Sequence, residues 1–343
     1  MNIEMLYTSA PQGLKQGSRG FCTVISTTGL PINLAQKLES LSGYRHLYQP
    51  GDSRADANPV CHSHLRFNVG GRTVSVISRV AAYGVDYSQR TNKIAHHISM
   101  DAPLPRCGPA AVLSQPGFMR TDWDSQCKTL SIGPVVPDIA LSPAVCVEWQ
   151  RVTGDAGWAG VIATAWMQPA GKPVWIIFSE SQSASLLSMM VEATALLPEN
   201  RRWQATFSTY CTNLPPDVDC RVRCVVSGSE EARMAIARGL VVDLTKPMPL
   251  AADSPATHAA RTGHAIGGES ARHPSPPTES VAMPGKDIDS EEEYEVTGAA
   301  LEPEYLVEGL SSIPPALSLP PQSNKQKRQN KKKPTTATRT TGC

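Results

Sequence analysis

The sequence predicts a mixed α+β and α/β fold: two ordered units, the first with an antiparallel-rich sheet, then a long disordered C-terminal tail. Three observations carry this. Of nineteen aromatic residues only Tyr294 and Tyr305 lie beyond Thr245, whereas thirteen of the 29 prolines do, and a segment without aromatics to bury cannot offset its ordering entropy. Apolar residues alternate with a period of two on each side of Gly70-Gly71 in the first unit, the mark of an antiparallel hairpin. Between about 144 and 245, helical stripes alternate with a strand that is apolar on both faces, as in an α/β layer. A weaker seam at Gly133-Pro134-Val135-Val136-Pro137-Asp138 and Ser142-Pro143 divides the ordered part. The expected organisation is therefore 1–140, 144–245 and a proline-rich, acidic-then-basic tail over 246–343.

The chain opens with two β-prone runs, Glu4 to Ser9 and Gly20 to Ser26, joined by the Gly-rich loop 13–20; this predicts an antiparallel connection. Pro31 stands where helices accept proline, Leu34, Leu38 and Leu41 follow at i, i+4 and i+7, and Gly43 supplies a stop, giving a helix from Pro31 to Ser42. Leu65 to Ile77 alternates on either side of Gly70-Gly71, a hairpin whose turn needs positive φ angles. A further strand is expected from Lys93 to Ser99.

In the second unit the spacing predicts a strand at Val145 to Trp149 and a helix over Gly157 to Met167. A central strand follows at Pro173 to Phe178. Ser179-x-x-Gln182 reads as a capping box for a helix whose stripe is Leu186, Met189, Met190, Ala193 and Leu197. Strands are expected at Ala205 to Cys211 and Arg221 to Val226, a helix capped by Ser227-x-x-Glu230, and a last strand from Leu240 to Leu244.

The 343 residues carry a formal net charge of +1. Within the tail, charge is sorted into an acidic block (Asp287, Asp289, Glu291, Glu292, Glu293, Glu295) and a basic one (Lys325, Lys327, Arg328, Lys331, Lys332, Lys333) that cancel each other. A uniformly basic nucleic-acid binder is excluded, while the basic run itself could engage nucleic acid or an anionic surface. The first residues have no basic n-region or apolar h-region, and the longest weakly polar stretch, Ala156 to Met167, is too short to span a bilayer. Nine scattered cysteines show no short framework, as expected of thiols in a reducing cytosol. The expectation is a soluble cytoplasmic protein without a membrane span.

Catalytic motifs are few. No phosphate-binding Gly-x-x-x-x-Gly-Lys-Ser/Thr and no Gly-x-Ser-x-Gly elbow occurs, so neither a catalytic residue nor a cofactor is assigned. Cys61-His62-Ser63-His64 puts two histidines at i, i+2, on one side of a strand, and His96-His97 or Cys107 could complete a three-ligand hydrolytic metal site; the plainer reading is a cluster of surface or half-buried histidines. Cys220 and Cys224, about 13 Å apart along a strand, cannot share a zinc. Arg201-Arg202-Trp203 mixes cations with an aromatic as nucleic-acid surfaces do, or simply tucks Trp203 into the core at the start of a strand. The most unusual polar stretch is Gly84 to His97. There Asp86, Tyr87, Arg90, Asn92, His96 and His97 form the candidate binding loop, with a histidine titrating near neutral pH. Its plainer reading is a loop tied down by its own side chains, Arg90 pairing with Asp86.

Three stretches, Leu6-Tyr7-Thr8-Ser9-Ala10-Pro11, Gly20-Phe21-Cys22-Thr23-Val24 and Leu38 to Arg45, resemble the second type of N-terminal domain of bacterial GTPase-associated proteins. So does Asp86-Tyr87-Ser88-x-Arg90-Thr91-Asn92-x-x-Ala95-His96-His97. Arg202 to Tyr210 looks like the middle domain that follows it. Gln89 departs from the pattern where glycine is expected, and Lys93-Ile94 where bulky apolar residues are. The resemblance covers about 1–245 and implies a component of a conflict or signalling system that works with a GTPase. It brings no catalytic assignment. It also implies a truncated or divergent member, since longer relatives continue past the middle domain. The expected function is a non-catalytic adaptor with a GTPase or similar protein partner. The alternatives are a metal-assisted hydrolase using His62, His64 and His96, and a nucleic-acid or anionic-membrane binder acting through Lys325 to Lys333.

Overall fold

The computed structural model describes residues 1–168 and 171–266. The basic run Lys325 to Lys333 and the acidic block before it lie outside the described residues.

The first segment contributes β1 (Ile3–Ala10), β2 (Gly20–Thr27), α1 (Ile32–Leu41), β3 (Cys61–Val69), β4 (Arg72–Val85), β5 (Thr91–Met100), the five-residue helix α2 (Pro109–Leu113) and β6 (Lys128–Leu130). The second contributes α3 (Val147–Thr153), α4 (Gly157–Met167), β7 (Val174–Phe178), α5 (Leu186–Ala195), β8 (Phe207–Ser208), β9 (Val222–Val226), α6 (Glu230–Arg238), β10 (Leu240–Asp243) and α7 (Pro255–Thr262). All ten strands join one sheet in the order β10-β7-β9-β8-β3-β4-β5-β1-β2-β6. Pairing is antiparallel from β3 to β2, and parallel among β7 to β10, where α5 lies between β7 and β8 in the chain and α6 between β9 and β10. The mixed α and β fold and the antiparallel-rich N-terminal sheet are as the sequence predicts. The two segments meet through β3 and β8, in the register Ser63↔Ser208 and His64↔Phe207.

Both faces of the sheet are covered. Ile77, Ile98 and Met100 join Ile176 and Phe178 beneath α2, α3, α4, α5 and α7. On the other face α1 lays Leu34 and Leu38 against Met5, Leu65, Phe67 and Val76, and α6 packs Ala232 and Ala235 on Trp175, Ile177 and Val225. Alternation along β7 explains the split, since neighbouring residues of a strand face opposite ways.

Four expectations need correction. The stretch Val145 to Trp149 is not a strand: Glu192 of α5 accepts the backbone N–H groups of Glu148 and Trp149, supplying the missing partners of a helix start. Gly154, at φ 83°, ends that helix. The strand at Ala205 to Cys211 shrinks to Phe207–Ser208, because Glu199–Gln204 winds into a 3₁₀ turn. The cap of α6 is Ser229, whose hydroxyl accepts from the Ala232 N–H at 3.1 Å, rather than Ser227. Finally, the chain stays folded past Thr245. Helix α7 opens with a capping box between Ser254 and Thr257 and buries Ala256, Ala259 and Ala260. Its alanines carry no large apolar signature; they pack because Gly160 of α4 lets the two backbones touch.

Candidate functional site

The β4–β5 hairpin turns through Asp86 to Arg90, where the sequence places its binding loop. The structure separates those six residues into fasteners, core groups and surface groups. Asp86 is a fastener: Oδ1 accepts the N–H groups of Ser88 and Arg90 at 2.8 and 3.0 Å, and Oδ2 accepts the Ser9 hydroxyl at 2.8 Å. These donors, the Arg90 N–H foremost, hold its carboxyl well below the ordinary aspartate range despite burial. Asn92 is a second fastener, its Oδ1 accepting from the Ser9 and Lys93 N–H groups. Together they tie the hairpin to the end of β1.

His96 and His97 are core groups on opposite faces of β5. His97 sits between Ser42 Oγ, 2.9 Å from Nε2, and Ser78 Oγ, 2.7 Å from Nδ1. Burial first, then the charges of His96 and Lys93, pushes its pKa down to about 3. His96 accepts the Arg120 N–H on Nδ1 and lies 3.6 Å from Glu4. Burial lowers it too, against the pull of Glu4. Burial would raise the Glu4 carboxyl, yet His96 and the paired Arg120 guanidinium bring it below its ordinary value. Neither histidine reaches the loop surface, and His97 does not titrate near neutrality.

Tyr87 and Arg90 are the surface groups. Arg90 donates from Nε to Ser88 Oγ at 2.8 Å and lies 3.6 Å from Asp86, the pairing the plainer reading anticipates. Both residues line a shallow cavity of about 700 Å³ with Arg19 of the β1–β2 connection and Phe21 at the start of β2. Phe21 stacks on Tyr7 with centroids 6.2 Å apart, and the Lys93 ammonium hangs 4.8 Å from the Phe21 ring. A cation over aromatic rings gains from their quadrupoles while its stem covers apolar surface. The sequence reading missed Arg19, Phe21, Tyr7 and Lys93 as one surface. The signal was the Lys93 departure: where an apolar residue is expected, a lysine lays its stem beside two exposed-edge aromatics.

The metal reading of His62, His64 and His96 is corrected by geometry. His64 is buried with both ring nitrogens engaged, Nδ1 2.8 Å from the Ala205 carbonyl and Nε2 2.6 Å from Ser75 Oγ. His62 and His96 both align with Arg79 of the intervening strand, two strand spacings or roughly 9.6 Å apart, with a cation between them. Among the described residues no three His, Cys, Asp or Glu side chains are placed to hold a metal ion. Arg202 and Trp203 are inward-facing: the guanidinium donates to the carbonyls of Leu197 and Arg106, and the Trp203 indole to Pro105 at 2.6 Å. Lys15 and Arg19 of the Gly-rich loop are exposed. No described helix is long and apolar enough to cross a membrane.

Two family models match the chain in tandem. Residues 1–133 match GTPase-associated protein 1, N-terminal domain type 2, and residues 146–246 match GTPase-associated protein 1, middle domain. Neither curated proteins nor solved structures give a match. The cation-and-aromatic surface at the β4–β5 turn falls within the first match, on the motif that carries the resemblance. With both domains present in order, the chain belongs to the GTPase-associated protein 1 family.

Proposed function

We propose that this chain is a non-catalytic adaptor that pairs with a GTPase in a conflict or signalling system, and that it meets its partner through the β4–β5 turn and the neighbouring β1–β2 connection. One observation carries the reading. Arg19, Phe21, Tyr87 and Arg90 stand together around a shallow cavity of about 700 Å³, while the acid beside them, Asp86, is engaged by internal hydrogen bonds. Exposed arginine and aromatic side chains are the residues that dominate protein interfaces. Their net positive charge suits an acidic patch on the partner.

The test begins with the full chain as bait in lysate of its source cells, each retained protein being purified and assayed for guanine-nucleotide binding. The expected result is a GTP-binding protein that rebinds the purified chain. Combined Arg19→Glu and Tyr87→Ala changes, at exposed side chains outside the core, should weaken that binding ~10-fold or more. Recovery of no guanine-nucleotide-binding protein counts against the GTPase, and unchanged affinity of the double variant counts against this surface.

A further inference from the structure

A second cavity lies on the far side of the hairpin, between the outer end of β4 and the loop that leads from α1 to β3. The loop is closed on Asn58, whose Oδ1 accepts the N–H groups of Leu47 and Tyr48 at 2.7 and 3.1 Å and whose Nδ2 donates to the carbonyls of Tyr48 and Ala55. Four hydrogen bonds from one side chain make the wall rigid. Tyr44 adds a bond from its hydroxyl to the Pro59 carbonyl at 2.6 Å. The opposite wall includes Ala81, Ala82 and Gly84, which carry a methyl group or none, and about 350 Å³ is left open.

Arg79 lines this cavity, and its Nη1 is buried with no hydrogen-bond partner among the described residues. Arg79 also makes no ion pair there. Its cross-strand neighbours His62 and His96 can carry only positive charge, so neither offers Arg79 a counter-ion. The guanidiniums of Arg202 and Arg261, by contrast, are satisfied, the first by carbonyls and the second by Asp155. Arg79 as a whole is half-buried, but a guanidinium nitrogen held out of water without a partner is costly, and native structures pair such groups or give them a ligand.

We propose that this cavity is a binding site for a compact oxyanion, a carboxylate or phosphate group on a small polar molecule, received by the Arg79 guanidinium. The planar fork of arginine matches both groups. The volume sits at the small end of ligand pockets, which excludes a helix or a nucleic-acid strand. Tyr48 lines the cavity with Arg54 stacked 4.2 Å from its ring, and Arg54 itself lies 3.7 Å from Asp52. Asp56 also lines the cavity, on its exposed side, and disfavours a polyanion.

The probes are inorganic phosphate and acetate, titrated into the full chain at constant ionic strength against chloride, with calorimetry and melting temperature as readouts. At least one probe should bind and raise the melting temperature. Arg79→Met should weaken its binding ~10-fold or more while leaving the ion-free protein at least as stable. Ala55→Leu, which fills the mouth and leaves Arg79 intact, should weaken it as well. Preference for phosphate assigns a phosphoryl ligand, and preference for acetate a carboxylate. The proposal is overturned if neither probe stabilises the protein beyond chloride, or if Arg79→Met binds as the wild type does. Should Arg79→Met not fold, undiminished binding by Ala55→Leu overturns it.

Discussion

Arg261 grips Asp155 through two parallel hydrogen bonds, Nε to Oδ1 and Nη2 to Oδ2, both 2.8 Å long. The pair fastens α7 to the start of α4, and Asp155 also accepts the N–H groups of Gly157 and Ala251 at 2.9 and 2.8 Å. Arg261 is the larger influence holding the Asp155 carboxyl far below its ordinary value. Arg261→Met leaves a buried carboxylate short of its cation, and we expect a loss of about 2 kcal/mol in denaturant unfolding, part of the usual cost being relieved by solvent at the arginine. Because the folded pKa is depressed, this stability is present above the unfolded value near 4 and is lost as pH falls through the folded one. An unchanged midpoint in Arg261→Met would show that α7 is held by packing alone.

The buried histidines make a stronger pH prediction. Burial lowers His62 and His64 to about 4 and His97 to about 3, from an ordinary 6.5. Below 6.5 the unfolded chain takes up protons that the folded chain refuses, so stability is complete above that pH and declines as pH falls toward 4. Three such groups give a slope of up to about 4 kcal/mol per pH unit near pH 5. His97→Gln, which keeps hydrogen-bonding capacity between Ser42 and Ser78, should remove about a third of it. A flat stability profile between pH 7 and 5 would contradict this arrangement.

Gly160 tests how α7 is seated. Alanine is the better helix former by about 1 kcal/mol, so local propensity predicts that Gly160→Ala stabilises α4. A Cβ there would instead collide with the Ala256 carbonyl and the Thr257 amide, backbone atoms that cannot swing aside. We expect a net loss of about 1–3 kcal/mol, as for other overpacked sites. A rise in melting temperature would mean that α7 yields freely.

This contact also shows why part of the fold was legible in the sequence and part was not. The β3–β4 hairpin was readable because period-two alternation flanks Gly70-Gly71, and both glycines do adopt positive φ. Helix α5 was readable because large apolar residues recur on one face. Helix α7 was hidden because its contact surface is alanine against glycine, which leaves no hydrophobic stripe. Helix α3 was hidden because its decisive partner, Glu192, stands 43 residues from Trp149. The candidate site divides in the same way. Asp86 and Arg90 were within reach because their partners are local, whereas Phe21 and Lys93 meet only through pairing of β1 with both β2 and β5. Arg79 gave no signal at all, since an unpaired guanidinium is visible only when its surroundings are known.

Gln89 carries the last prediction. It stands where the family pattern expects glycine, and the backbone shows why: its φ is 62°, in the left-handed region that a side chain makes costly. The turn is held there by the Gln89 N–H to the Asp86 carbonyl at 2.9 Å and the Asp86 N–H to the Arg90 carbonyl at 2.7 Å, so the residue cannot relax without breaking the hairpin end. Gln89→Gly removes the Cβ clash while freeing the unfolded chain, and the two effects oppose each other. Because the native conformation is the one that glycine favours, relief of strain wins, and we expect a gain of about 0.5–1 kcal/mol in unfolding free energy. Gln89→Ala keeps the Cβ and should show no such gain. Equal stability of the glycine and alanine variants would mean that the turn stores no strain at this position.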